Sequence, residues 1–450
     1  MDTSNKMVID NQTLNELEIV RDNSAGYSIL EMLDQTQTRG GKDALKEIFY
    51  NPLCNATLIE QRQQSIKWIY EYGDNFKLPI NKKLMDMLEV YFFSKAEVAV
   101  AKNAFSRFVE SSLYRFKYKN YKNTIVQGVS GTILFIQSIH KFFIQFDKEN
   151  LPPQIAAYWE QANKIFTTAP FAQTISKSNP VNQSFQQSIA WDQVFRYEYK
   201  SETLKLISIS YELDALQSLA KSVLKYNLTF PEIINSPNAN FEVEGLYHLF
   251  LKKPVANNLT FGQKSNFLFL TGPNMAGKTT FLKSCGIAVY LAQIGMAVPA
   301  TKMQWTPFKA LLSSINTSDN LSIGYSFFYA EVMRVKKAAE AVTKFEKCFI
   351  IFDELFKGTN IKDAFDGSLL VINGLLNWKS SLFILSSHLT ELSKEIDKNP
   401  QILFKHFEST TENSKPVFSY RLADGISNER LGLIIIKNEG IDEMLNSNIK

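Results

Sequence analysis

The stretch Phe267-Leu268-Phe269-Leu270-Thr271-Gly272-Pro273-Asn274-Met275-Ala276-Gly277-Lys278-Thr279-Thr280 decides how the rest of the chain is read. Its first four residues form an apolar run of the length of a buried strand. From Thr280 onward Phe281, Leu282, Cys285, Ile287, Ala288 and Leu291 recur with helical spacing. Gly272 through Thr279 therefore falls between a strand and a helix, the place a phosphate-binding loop occupies. Gly272 and Gly277 let the backbone turn so that successive N–H groups face one centre, and the helix start adds its positive dipole end. Lys278 is placed to reach the β- and γ-phosphates of a nucleotide, and the Thr279 hydroxyl to ligate Mg²⁺. Pro273, Asn274, Met275, Ala276 and Thr280 complete the expected nucleotide-binding loop, with ATP and Mg²⁺ as its ligands.

Two further apolar runs downstream end in chemistry-bearing residues. Phe349-Ile350-Ile351-Phe352 runs into Asp353-Glu354, two carboxylates at the rim of a sheet. After a phosphate loop this is a Walker B pattern, with Asp353 on the metal and Glu354 on the attacking water. Leu382 to Leu385 runs into Ser386-Ser387-His388, an imidazole at the carboxyl edge of a strand, where open α/β sheets bind ligands. There His388 can hydrogen-bond the γ-phosphate or the water; a lone histidine also reads as a satisfied structural residue. From about residue 228 short apolar strands alternate with helical patterns, which predicts an α/β domain with a largely parallel sheet.

The composition is that of a soluble globular chain, since 45% of the 450 residues are hydrophobic and 21% charged. Cys54, Cys285 and Cys348 lack metal-ligand or pairing spacing, so a reducing compartment is expected, and the polar start carries no signal-peptide core. Ile125 to Phe146, the most apolar long segment, is interrupted by Gln127, Ser130, Gln137, Ser138, His140 and Lys141 and reads as a packed helix rather than a membrane span. A net charge of +4 does not by itself imply nucleic acid. Its distribution is more informative: Arg115, Lys117, Lys119 and Lys122 interleave with Tyr114, Phe116, Tyr118 and Tyr121. That pattern can hold phosphates with its bases and stack its rings. It equally describes a solvated helix face whose aromatics are core.

The N-terminal half carries helical periods, with predicted breaks at Gly40-Gly41, Asn51-Pro52 and Pro152-Pro153. Within it, Leu33-Asp34-Gln35-Thr36-Gln37-Thr38-Arg39-Gly40-Gly41 and Tyr211-Glu212-Leu213-Asp214-Ala215-Leu216 resemble two parts of the lever of MutS-family proteins. Thr271 to Thr280, Asp353 to Thr359 and Ser387-His388 resemble the ATPase of the same family, and the likeness covers roughly 28–70 and 208–435. Asp319 to Glu331 resembles the family's signature segment, in which a serine is presented to the nucleotide of the opposite subunit; Ser326 matches it. By its residues alone Ser326 reads only as a helix cap after the turn at Gly324.

The resemblance implies an α/β ABC-type P-loop ATPase domain with a largely parallel sheet, preceded by an all-α core or lever domain. The expected division is a short arm over 1–25, the helical domain over 26–227 and the ATPase over 228–450. The implied function is that of a cytoplasmic, Mg²⁺-dependent ATPase, acting as a homodimer with composite ATP sites and coupled to DNA in repair or recombination. A partner paralogue or repair protein is a further expected contact, and no membrane is. The alternative is a nucleotide-gated adaptor acting on a ribosome or protein complex. Three departures bear on the transfer. The lever motif begins near residue 28, leaving no room before it for the domains that find mismatches, and the clamp also looks absent, so mismatch reading is not expected. Where the family stacks an aromatic on adenine, this chain has Pro254-Val255. The loop expected over Asn360 to Asp366 is longer than in mismatch-binding members.

Overall fold

The computed structural model describes residues 5–21, 27–95, 98, 122–176, 184–262, 264–315, 327–412, 415–427 and 440–446. The chain divides into two compact units. One comprises Met1–Met32, Asn51–Gln63 and Lys225–Lys450, and the other Leu33–Tyr50 and Gln64–Leu224.

The first half of the chain contributes helices α1 (Asn11–Glu16), α2 (Ile29–Leu33), α3 (Arg39–Tyr50), α4 (Ala56–Tyr72), α5 (Lys82–Phe92), α6 (Lys122–Phe143), α7 (Pro153–Phe166), α8 (Ala169–Ser176), α9 (Phe185–Gln193) and α10 (Lys200–Tyr226). In the helical unit, α6 buries Ile125, Val129, Ile133, Ile136, Ile139 and Phe143, one face at three- and four-residue spacing, and packs on α5 and α9. No helix among the described residues is long and apolar enough to cross a membrane.

Gly40-Gly41 does not break a helix. Both glycines lie in the first turn of α3, where α10 comes too close for any side chain. A Cβ on Gly40 would lie 2.1 Å from the Tyr211 ring, and one on Gly41 would lie 2.1 Å from Asp214 Oδ2. The buried Asp214 carboxylate accepts from Gln37 N at 3.0 Å, Thr38 N at 3.0 Å and Thr38 Oγ1 at 2.7 Å. The two lever-like strings, distant in sequence, thus meet around one carboxylate.

The other unit holds two sheets. Its strands are β1 (Glu232–Ile233), β2 (Phe241–Leu246), β3 (Asn257–Phe261), β4 (Phe267–Thr271), β5 (Lys302–Trp305), β6 (Ala310–Ser314), β7 (Cys348–Asp353), β8 (Leu382–Ser386), β9 (Ile402–Glu412) and β10 (Lys415–Asp424). Its later helices are α11 (Lys278–Gln293), α12 (Phe327–Lys344), α13 (Ile361–Leu375), α14 (Thr390–Ile396) and α15 (Ile441–Asn446). The larger sheet has the order β10-β9-β4-β8-β7-β6, parallel from β9 to β6 with β10 antiparallel at its edge. The smaller sheet, β1-β5-β2-β3, is antiparallel except for β1 on β5. The expectation of a largely parallel sheet therefore holds for one sheet of the two. The difference is written in the side chains: β4, β6, β7 and β8 are buried at every position, whereas β2 and β3 expose part of their length.

Phe267, Phe269, Ile350, Phe352, Phe383 and Leu385 form the centre of the core with Ala338, Ile372 and Leu392 from α12, α13 and α14. Each large apolar side chain buried there stabilises the fold by about 1.5–3 kcal/mol. Residues 5–21, within the stretch expected as an arm, line the β6 edge: Val8 N donates to Lys309 O at 2.8 Å and Leu311 N to Val8 O at 3.0 Å. Arg334 of α12 pairs with Asp10 and donates to Thr13 Oγ1 and Ser313 O. Asn360 to Asp366, read as a loop, is instead the cap and start of α13. The Asn360 side chain accepts from Asp363 N at 2.9 Å and so closes the first turn.

Candidate nucleotide-binding site

The parallel strand β4 delivers the loop. Gly272 at φ 142° and Gly277 at φ 104° take conformations that side-chain-bearing residues rarely adopt, and a Cβ on Gly277 would also lie 3.4 Å from the Tyr420 ring. Gly277 is the N-cap of α11 and supplies no side-chain cap, so the first-turn N–H groups point into the loop without one. Between the two glycines, Pro273, Asn274, Met275 and Ala276 form the turn, with Met275 77% exposed at its tip and Ala276 fully buried. Thr280 follows on the first turn of α11.

Lys278 is buried, and its Nζ donates to Gly272 O at 2.8 Å and Pro273 O at 3.0 Å. Burial lowers its pKa against the opposing pull of Asp353 and Glu354. Thr279 Oγ1 donates to Asp353 Oδ2 at 2.6 Å, and Ser386 Oγ donates to Asp353 Oδ1. Register explains that arrangement: Asp353 at the end of β7 stands opposite Ser386 at the end of β8.

Glu354 leaves β7 at φ 68°, a conformation costing a non-glycine residue on the order of 1–3 kcal/mol, and its N–H donates to Ser386 O at 3.0 Å. Its Oε1 lies 3.1 Å from His388 Nε2 and its Oε2 3.8 Å from Lys357 Nζ. Burial pushes the Glu354 carboxyl up. The His388 hydrogen bond and the charges of Lys357, His388 and Lys278 outweigh it and hold the group below its ordinary value. His388 Nε2 is also 3.3 Å from Lys278 Nζ. A proton on Nε2 serves Glu354 and leaves no lone pair for Lys278; the other tautomer reverses this.

These groups line a cavity of about 610 Å³ walled by Tyr247, His248, Lys253, Val255, Phe407 and Tyr420. Sequence reasoning pointed to the loop, Asp353, Glu354 and His388 and, of the walls named, only to Val255. Tyr420 belongs to β10, at φ 56° within a register shift between Phe418 and Leu422. Asn257 of β3 holds that kink: its Nδ2 donates to Tyr420 O at 3.0 Å, and Leu422 N donates to its Oδ1 at 2.7 Å. An aromatic ring therefore lines the cavity although Pro254-Val255 offers none.

Among the described residues no group of three or more His, Cys, Asp or Glu side chains could hold a metal by itself. Mg²⁺ does not need one, because it keeps waters and phosphate oxygens and takes one or two protein oxygens. Thr279 Oγ1 and the Asp353 carboxylate, hard donors in contact at the cavity floor, fit that requirement. Ser326, Arg115, Lys117 and Lys119 lie outside the described residues. Lys122 opens α6 with its Nζ 5.6 Å from the centre of the Phe185 ring. The cysteines Cys54, Cys285 and Cys348 are buried and form no disulfide among the described residues; burial pushes the Cys348 thiol up to about 11, against a smaller opposing effect of the Ser381 hydrogen bond.

A buried parallel strand, a glycine-bracketed loop, a lysine on the loop carbonyls and a carboxylate on the loop threonine define a domain of the P-loop fold. Comparison with known proteins carries this further. The family model for MutS domain III matches residues 12–220, and that for MutS domain V matches residues 268–448. The chain belongs to the MutS family. The DNA mismatch repair protein MutS of Thermotoga sp. (strain RQ2) is 23% identical over 530 residues, covering 98% of this chain and 65% of that protein. The protein of the same name from Persephonella marina is 32% identical over 240 residues, 52% of this chain and 27% of the relative. That from Geobacillus kaustophilus is 26% identical over 336 residues, covering 71% and 37%. The chain thus spans at most 65% of the length of these relatives.

Proposed function

We propose that the protein binds ATP with Mg²⁺ in this cavity and hydrolyses it, and that it works as a dimer coupled to DNA in repair or recombination. The observation that carries the reading is convergence. Lys278, the Thr279–Asp353 pair and the Glu354–His388 pair come from the ends of three neighbouring parallel strands and line one cavity.

Lys278 sits ready at the loop, and nucleotide binding exchanges its two carbonyl acceptors for phosphate oxygens. Thr279 and Asp353 would hold Mg²⁺, which when bound would supply positive charge against that developing on the phosphate oxygens. The ionised Glu354 carboxylate accepts the proton of the attacking water, and His388 fixes its direction through Nε2. Tyr420 offers its ring to the base. Ser326, by its match to the family's signature segment, acts on the nucleotide of the partner copy. The similarity to DNA mismatch repair proteins supports DNA as the partner and repair as the setting.

ATP hydrolysis by the purified protein, with and without Mg²⁺ and with duplex and branched DNA at two salt concentrations, tests the reading. Mg²⁺-dependent turnover that responds to DNA, with a response that weakens at high salt, is expected. Absence of turnover, or turnover indifferent to every DNA, would remove the corresponding half of the proposal.

A further inference from the structure

Glu331 lies on α12 and is 4% exposed, yet no arginine or lysine forms an ion pair with it among the described residues. Its Oε2 accepts from Gly358 N at 3.3 Å, and the neighbouring Lys357 backbone N–H also stabilises the charge of the same carboxylate. Burial raises its pKa, against the opposing pull of those two N–H groups and the Lys357 charge, so the carboxylate is held there at a cost that an apolar residue would not incur.

The turn it grips is the one that carries Glu354. Between Asp353 and Gly358 two non-glycine residues, Glu354 at φ 68° and Phe356 at φ 59°, take left-handed conformations, the second with a bulky ring. Such a turn persists only if its surroundings over-determine it. Three anchors do so. Glu354 N is bonded to Ser386 O at 3.0 Å. The Phe356 ring packs 5.8 Å from that of Phe328 on α12 and lies over Gly367 of α13, where a Cβ would come within 3.0 Å of it. Glu331 is the third, and it acts on the residue whose side chain faces the catalytic carboxylate: Lys357 Nζ is 3.8 Å from Glu354 Oε2.

We propose that Glu331 is a positioning residue for hydrolysis, fixing the Lys357–Gly358 turn and through it the direction of Glu354. The proposal rests on the reading of Glu354 as the group that activates water. Glu331→Ala frees the turn while leaving the phosphate loop intact; Glu331→Gln keeps a carbonyl acceptor for the Gly358 N–H. Steady-state ATP hydrolysis by both variants and by Glu354→Gln is the test. The expected result is a kcat loss on the order of 10- to 100-fold in Glu331→Ala with KM changed by less than about twofold, since misdirection of a reacting group costs rate rather than binding. Glu331→Gln should recover most of the rate. Wild-type kcat in Glu331→Ala would overturn the proposal, as would a Glu331→Gln variant as slow as the alanine one, or a parallel loss of KM and thermal stability. If Glu354→Gln itself turns over normally, the reading of Glu354 falls first; if it is inactive while Glu331→Ala is not, only this proposal falls.

Discussion

Glu354 and His388 meet through Oε1 and Nε2 at 3.1 Å, joining the ends of β7 and β8 across the cavity floor. Burial pushes the carboxyl of Glu354 up, and this contact is the largest of the effects that bring it down. On the proposed reading of Glu354 as the base, which must be ionised to accept a proton, activity should be lost as pH falls through the pKa of Glu354, held below the ordinary carboxylate value. His388→Ala leaves the burial and removes the hydrogen bond. The acid limb of the kcat–pH profile should then move to higher pH, and an unmoved limb would show that His388 does not set the state of Glu354.

Tyr420→Ala should weaken ATP binding with little effect on kcat. A ring contact of this kind is worth about 0.5–1.5 kcal/mol, which corresponds to about a twofold to 13-fold rise in Kd. Asn257→Ala should do part of the same, because it frees the kink that presents the ring. Equilibrium titration with a fluorescent ATP analogue measures both, and unchanged affinity in Tyr420→Ala would place the base elsewhere.

Gly41→Ala sets two effects against each other. Alanine favours a helix over glycine by about 1 kcal/mol. Its Cβ would lie 2.1 Å from Asp214 Oδ2, displacing a buried carboxylate with three bonded donors, and overpacking of this kind costs about 1–3 kcal/mol before those bonds are counted. The clash should win. Thermal unfolding is expected to show a melting temperature lower by several degrees; a more stable protein would mean that α3 and α10 separate easily.

The same glycines show where the sequence misleads. Gly-Gly reads as a break because glycine is a poor helix former, and only the neighbouring Tyr211 and Asp214, distant in sequence, make it a packing requirement. The phosphate loop was legible because everything it needs is local: a buried strand, two glycines and a helix start within one stretch. Asp353, Glu354 and His388 were legible as the polar ends of apolar runs. Tyr420 and Glu331 were not, since one depends on a strand irregularity and the other on a helix meeting a turn, and neither leaves a periodic signal. The second sheet was hidden for a related reason: its half-exposed strands lack the continuous apolar runs that announced β4, β7 and β8.

A dimer with shared sites predicts complementation. Ser326→Ala and Lys278→Ala should each be inactive alone. Mixing them should restore part of the activity, because one site of a mixed dimer joins an intact phosphate loop to an intact Ser326. Subunit exchange verified by labelled protomers, followed by the hydrolysis rate of the mixture, checks this. No recovery despite exchange would count against the shared site, as would full activity from a monomer.

The most direct measurement is a single-turnover hydrolysis experiment on Glu354→Ala beside the wild type, with ATP affinity determined on the same samples. Loss of the group that activates water costs on the order of 100-fold or more in rate. The expected result is ATP binding close to wild type with hydrolysis slowed at least to that extent. Hydrolysis at the wild-type rate by a Glu354→Ala protein that binds ATP normally would contradict the central claim.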